Sequence, residues 1–265
     1  MHVTAIIVTY RRPETLASTL LAVGRQTRPV DLVVVVDNDP LGSAAQVARE
    51  GCMYVQSPTN SGYAAGVALG MQSAPIADAY WILDDDSAPD PASLALVESQ
   101  LLPGVGVVAN RGGHLRFGRI RHDLRDLDEG VIAAADFTLI DGAVVRSECV
   151  VAVGLPRGDF FMMMEDIEFT TRIKTAGYRL VVVGGDKTEH QHLGSAAPWR
   201  GYYQARNHLR ICIERRSLRL FVGWLTREIA TQAHLVRHLD RARLRLRWAG
   251  VRDGLLNRMN RRHDV

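Results

Sequence analysis

Three features of the sequence predict an α/β fold: a mostly parallel sheet flanked by helices, followed by a C-terminal helical extension. Short β-branched runs alternate with segments of helical periodicity through the first half. Residues 31–37 carry four consecutive valines, the pattern of a strand buried on both faces. Strands and helices that alternate in this order place neighbouring strands parallel, with helices on both faces.

Taken in order, Val3–Thr9 reads as a strand that stops at the Arg12-Pro13 turn. Leu16, Leu20 and Val23 then recur at helical spacing. After the valine strand a second helix is expected over residues 42–50, a third strand over 52–55 and a fourth over 79–83. The segment Asn60-Ser-Gly-Tyr-Ala-Ala-Gly66 is a small-residue turn entering a helix. Residues 110–135 are polar and glycine-rich, suited to a hairpin or a mobile insertion. A strand is expected over 140–145, a helix over 165–176 closed by Gly177, and a last strand over 181–183. From Trp199 the pattern is helical. Two regions follow, 1–205 for the sheet domain and 206–265 for a basic amphipathic helical region.

Of 265 residues, 47% are apolar, enough to bury a full core and incompatible with a disordered or fibrous chain. Cys52, Cys149 and Cys212 are odd in number and unpatterned, which reads as buried thiols in a reducing compartment. The opening MHVTAIIVTYRRPE has no basic segment ahead of its apolar run and reads as a strand rather than a signal peptide. No uncharged apolar run approaches the roughly 20 residues that a membrane-spanning helix needs. The expectation is a cytoplasmic protein that can lie peripherally on the inner face of the cell membrane.

Ligands in open parallel sheets bind beyond the carboxyl ends of the strands. Polar clusters fall at three such ends: residues 9–12, 37–39 and 84–86. Asp84, Asp85 and Asp86 follow the strand YWIL directly, and three adjacent carboxylates repel unless a cation offsets them. Hard oxygen donors of this kind suit Mg²⁺ or Mn²⁺ shared with substrate phosphates, against the alternative of a solvated acidic loop. Glu165 and Asp166 open a helix after FFMMM. They serve either the helix dipole or, partly desolvated, as a general base with a pKa raised towards neutrality. His190 and His192, in EHQHLGS, are structural or are ligands to a borderline metal such as Mn²⁺. Trp199, Tyr203 and Arg206 share one helix face, which either packs or holds a sugar ring, a lipid chain or a diphosphate.

These pieces, in this order, resemble family 2 glycosyltransferases of the GT-A fold. The matching segments are IIVTYRRPETL, VVVVDND, NSGYAAG, WILDDD, the block from DGAVVRSECV to TAGYRL, HLGS and YYQARN, spanning residues 3–207. The tail RARLRLRWAGVRDGLL is similar to the ends of bacterial rhamnosyl- and galactofuranosyltransferases, and the triple aspartate with YYxxRN leans towards the latter. The resemblance implies that Thr9, Arg11 and Asp37 line a nucleoside pocket and that Asn60 and Gly62 close around the donor. It implies that Asp84 and Asp86, with Asp85 beside them, hold the ribose–diphosphate–metal unit, with His192 as a third metal ligand. Asp166 becomes the catalytic base, and Glu165, Trp199, Tyr203 and Arg206 become acceptor or diphosphate contacts. Many relatives carry Asn where this chain has Arg11. The implied reaction is a metal-dependent (Mn²⁺ or Mg²⁺), inverting transfer of galactofuranose or rhamnose from a UDP- or dTDP-linked donor to a hydroxyl of a glycan or polyprenyl-diphosphate-linked acceptor.

Net charge is divided unevenly: residues 1–205 hold 17 basic and 24 acidic side chains, whereas 206–265 hold 15 Arg and 5 acids. Leu218, Leu220, Phe221, Trp224, Leu225 and Ile229 sit among four of those arginines, a pattern for an anionic membrane surface or for a helical subdomain with solvated charges. No recognition motif accompanies the charge, so nucleic acid is not an expected partner. Two other functions compete: a catalytically silent sugar-nucleotide-binding protein, and a nucleotidyltransferase. TYRRPE lacks the glycines of a phosphate loop, which disfavours the second and equally a dehydrogenase.

Overall fold

The computed structural model describes residues 1–48, 51–75, 77–186, 188–190 and 197–262. The chain begins with β1 (Val3–Thr9), α1 (Pro13–Gly24), β2 (Leu32–Asp37), α2 (Ala45–Ala48), β3 (Met53–Gln56), α3 (Tyr63–Ser73) and β4 (Ala79–Asp84). It continues through β5 (Ser87–Ala88), α4 (Ser93–Ser99), β6 (Val105–Ala109), β7 (Gly112–Arg116), β8 (Arg119–Leu124), β9 (Ile132–Ala134), β10 (Phe137–Thr138) and β11 (Val144–Arg146). Then come α5 (Ser147–Val153), α6 (Glu165–Thr175), β12 (Arg179–Val183), β13 (Glu189–His190), α7 (Arg200–Glu214), α8 (Leu218–Arg237) and α9 (Arg241–Leu255).

Eight strands form the central sheet in the order β3-β2-β1-β4-β11-β6-β12-β9. Four of its pairings are parallel (β1 with β2, β1 with β4, β2 with β3, β6 with β12) and three are antiparallel. The sheet is therefore mostly parallel, and the antiparallel strands gather in the second half. β1 alternates between two cores. Ile6 and Val8 pack with Val67 and Met71 of α3, while Val3, Ala5 and Ile7 pack with Leu16 and Val23 of α1 and Leu94 and Val97 of α4. On the α3 side, a Cβ at Gly66 or Gly70 would lie 2.6 Å from Val8 or 2.5 Å from Ile6, so these glycines let the helix sit close on β1.

Several boundaries differ from the sequence reading. The strand expected over 140–145 is confined to Val144–Arg146, because Asp141-Gly142, with Gly142 at φ 80°, turns the chain first. The helix expected over 42–50 is described only as Ala45–Ala48. β6, α4 and α5 were not anticipated, and β13 follows the strand taken as last. Residues 110–135 hold the β7–β8 hairpin, joined by β10 into a small three-stranded sheet. The division drawn at 205/206 falls inside α7.

The C-terminal helices are fastened to the sheet domain rather than trailing from it. α7 packs along α9, and its Tyr202 and Tyr203 share a core with Phe161. Arg247 of α9 makes a buried two-pronged pair with Glu228 of α8 and also donates to Gln204 of α7. α8 crosses the hairpin where Gly118 and Gly223 let the two backbones touch. Among the described residues, no helix is long and apolar enough to cross a membrane.

Candidate active site

Beyond the carboxyl ends of β1, β2 and β4 opens a cleft of about 470 Å³. Strand register brings its first wall together: Val8 pairs with Asp84 across β1–β4, and Thr9 stands at the end of β1, paired across β1–β2 with Asp37, which is buried outside the cleft. The Thr9 hydroxyl donates to Asp85 at 2.8 Å, and Arg12 lies 3.4 Å from Asp85 and 3.8 Å from Asp86. The Asp84 backbone N–H donates to Asp141, which also accepts from Ser87 and Arg111. Asn38 donates to the Gly62 carbonyl and accepts from Ser61, while Asn60 accepts from the Gly62 N–H, so the turn into α3 is held open beside the carboxylates. Gly62, at φ 87°, is required there because a Cβ would lie 2.3 Å from the Phe161 carbonyl.

Electrostatically this wall is strained. Burial, then the charges of Asp141 and Asp86, push Asp84 well above the ordinary carboxylate range. Burial, then Asp84 and Asp141, push the Tyr63 phenol well above its ordinary value. The Tyr63 hydroxyl is buried beside Asp84.

Glu165 and Asp166 form the second wall with Met162, Met163 and Met164, and Trp199, Arg200, Gln204, His122 and Arg227 extend it. Burial raises the Asp166 carboxyl to about 6, against the opposing hydrogen bond from the Ile167 N–H and the charge of Arg111. Glu165 is raised to about 8 by burial and by the negative charge of Asp166, and one of its oxygens is buried without a partner. Near neutral pH the coupled pair therefore shares one proton, favouring the more strongly shifted Glu165, and both carboxyl groups line the cleft. Burial, then the charges of Arg227 and Arg125, lower the His122 pKa. Neither Arg200 nor Arg227 is ion-paired with a described residue, so this wall can accept an anion.

Of the residues singled out in the sequence, Thr9, Asn60, Gly62, Asp84, Asp85, Asp86, Glu165, Asp166 and Trp199 line this one cleft. Four do not. Asp37 is fully buried and accepts from the N–H groups of Asp39 and Ala44 and the hydroxyl of Tyr54. Arg11 points outward to Asp39. Tyr203 is buried and stacks on Phe161 at 5.1 Å. Arg206 is fully buried and donates to the carbonyls of Asp159, Phe160 and Asn260. His192 lies outside the described residues, while β13 pairs the His190 backbone with Ser87, next to the aspartates.

The sequence reading missed Asn38, Tyr63, Arg111, Asp141, Arg200 and Arg227. Asp141 had a signal, an Asp-Gly turn between two apolar runs. The arginines had none, since only tertiary packing distinguishes them from their neighbours.

The carboxylates also bear on metal binding. Among the described residues, no three His, Cys, Asp or Glu side chains close into a metal cage. Asp84 and Asp86 are hard oxygen donors pressed together against their own repulsion. That chemistry fits a small divalent ion that completes its shell with phosphate oxygens.

Residues 4–119 match the family model described as Glycosyl transferase family 2. The chain is similar to the galactofuranosyltransferase GlfT1 of Mycobacterium tuberculosis, at 31% identity over 65% of this chain and 64% of that protein. It therefore spans just under two thirds of that relative. In fold, it is similar to Staphylococcus aureus TarS residues 1–349 in complex with UDP-GlcNAc, with a TM-score of 0.53 and 16% identity over 78% of this chain and 65% of that one. It is also similar to GalNAc-T7 with UDP, GalNAc and Mn²⁺, with a TM-score of 0.63 and 12% identity over 80% of this chain and 47% of that one. The architecture is that of the GT-A fold.

Proposed function

From a glycosyl transferase family 2 domain over residues 4–119, we propose that the protein transfers a sugar, with inversion, from a nucleoside diphosphate donor to an acceptor hydroxyl. The observation that carries this reading is the meeting of residues 84–86 with Glu165 and Asp166 in one cleft at the strand ends. UDP-galactofuranose is the first donor to test, because the relatives at 31% identity are galactofuranosyltransferases. dTDP-rhamnose is the second.

The donor lies against Thr9, Asn38, Asn60, Gly62 and the aspartates, its charge met on one side by Arg12. Mn²⁺ or Mg²⁺, held by Asp84 and Asp86 together with donor phosphates, would supply charge compensation to the diphosphate as it departs. Asp166, ionised near neutral pH, accepts the proton of the acceptor hydroxyl. The hydroxyl oxygen attacks the anomeric carbon as its bond to the diphosphate oxygen breaks, and a single in-line displacement inverts the centre. Glu165, protonated beside it, keeps a second negative charge out of the site. Trp199 offers a face to the acceptor sugar, and Arg200 and Arg227 attract an anionic acceptor such as a polyprenyl-diphosphate-linked glycan.

The outer face of α8 supports an acceptor presented at a lipid surface. Leu218, Val222, Leu225, Ile229 and Val236 recur at helical spacing and are exposed, while Leu220 and Trp224 turn inward to pack with Leu209 and Cys212. Phe117, 85% exposed at the tip of the β7–β8 hairpin, lies beside this stripe, because Gly118 touches Arg219. Arg216, Arg219 and Arg237 flank it.

The test is UDP or dTDP release from a donor panel with Mn²⁺ or Mg²⁺, with and without lipid-linked acceptor. Release from one donor, lost with chelator and stimulated by acceptor, is the expected result. Nucleotide binding without release from any donor would favour a silent binder instead.

A further inference from the structure

The segment 160–164 reads FFMMM, with no glycine, asparagine or aspartate, yet Phe161, Met163 and Met164 all hold positive φ, at 65°, 67° and 74°. L residues with long side chains rarely adopt that conformation once, and three in four positions cannot come from local preference. Nor does a side chain cap the helix that follows: Met164, in the left-handed conformation, stands at the N-cap of α6 with no side-chain hydrogen bond. The conformation must be imposed from elsewhere in the molecule.

It is imposed from α7. The Asn207 side-chain amide donates to the carbonyls of Phe160 at 3.0 Å, Met162 at 2.9 Å and Met163 at 2.8 Å, so its two hydrogens serve three acceptors. Its own oxygen accepts from Arg206 Nε at 2.8 Å, which fixes the amide the right way round. Arg206 in turn donates to the Phe160 carbonyl at 2.9 Å and the Asp159 carbonyl at 3.3 Å. Both side chains are fully buried, and the guanidinium lies against the rings of Tyr202 and Tyr203. Four of the carbonyls held this way, those of Asp159, Phe160, Met162 and Met163, belong to the few residues just before Glu165 and Asp166; Arg206 also donates to the Asn260 carbonyl.

We propose that Asn207, oriented by Arg206, is a positioning residue that sets the left-handed path of 160–164 and thereby aims the Glu165–Asp166 pair into the cleft. The inference rests on the transferase reading of that cleft. Asn207 holds the carboxylate-bearing wall by its backbone carbonyls and does not itself line the cleft, so its loss should misplace the carboxylates and leave the donor wall intact.

The test uses Asn207→Ala and Asn207→Asp in the full chain, with UDP-galactofuranose as donor and UDP as the binding probe. Asn207→Asp keeps the size and the acceptor towards Arg206 but turns the donor into an oxygen facing three carbonyls, so it carries the test if Asn207→Ala fails to fold. The expected result has three parts: kcat falls about 100-fold, donor KM and UDP affinity stay within about twofold, and amide exchange across 158–168 accelerates. Unchanged kcat with accelerated exchange would overturn the proposal, as would a parallel loss of kcat and UDP affinity. Asp166→Asn measured alongside separates the two claims. Normal turnover in that variant, with loss in the Asn207 variants, removes the base assignment and leaves the positioning role. The reverse pattern removes the positioning role and leaves the base.

Discussion

Glu165 and Asp166 are neighbours in sequence with similar side chains, yet the cleft gives them different protonation states, about 8 against about 6. On the transferase reading, the rate rises through pH about 6 as Asp166 loses its proton and falls above pH about 8 as Glu165 ionises beside it. A pH profile of UDP release should be bell-shaped, and Glu165→Gln should remove only the alkaline limb. Asp166→Asn should lower turnover by about 10²–10⁴-fold with UDP binding retained by calorimetry. The stability sign follows from the same shift. Glu165 binds its proton more tightly folded than unfolded, so its contribution is complete below the ordinary value of 4.5 and is lost as pH rises through about 8. Glu165→Gln should therefore melt higher than the parent at pH 9, with no such gain at pH 4. Both carboxylates were legible in sequence because a helix start after an apolar run is a conspicuous place for them. Arg206 was not: its spacing with Trp199 and Tyr203 suggested a ligand contact, and only packing reveals that the face is buried.

Among the elements, α3 carries the most consequence for its size, because it opens at Gly62 and Tyr63 on the cleft and rests on β1 through Gly66 and Gly70. Gly70→Val would drive a side chain into Ile6, where a Cβ alone meets Cγ2 at 2.5 Å. A stability loss of about 1–3 kcal/mol is expected in denaturant titration, together with weaker UDP binding as the helix start moves. Gly24→Ala, with nothing within 4 Å of its Cβ, should leave both unchanged and serves as the control. β1 and β2 were legible because their runs rich in β-branched residues admit little else, and β4 because an aromatic and aliphatic run stops abruptly at three aspartates. β6 was not, because Gly106 interrupts its valines; that glycine is there for Cys149 and Tyr178, which a Cβ would meet at 2.6 and 2.8 Å. The strand placed at 140–145 began too early, because the apolar residues around Asp141-Gly142 masked a turn.

For the molecule as a whole, the charge division visible in the sequence gains a geometry: the arginine-rich helices bear an apolar stripe outward and Arg227 inward towards the cleft. Sedimentation with vesicles of anionic phospholipid should capture the protein at low salt and release much of it at high salt. Val222→Asp with Ile229→Asp should abolish capture while leaving UDP binding intact; capture unaffected by that pair would remove the lipid-facing assignment. The hold of α7 on residues 160–164 also has a consequence in time. Asp159 accepts from the Asn260 N–H, and Arg206 donates to the Asn260 carbonyl. A nascent chain that has already emitted Asp166 must wait for 94 more residues, the span from 166 to 260, before every tie is available. At elongation rates of about 5–20 residues per second, that is roughly 5–19 s. Once Val183 has followed, the sheet can be complete while Glu165 and Asp166 still have no fixed address, so the newborn protein acquires its shape before its cleft.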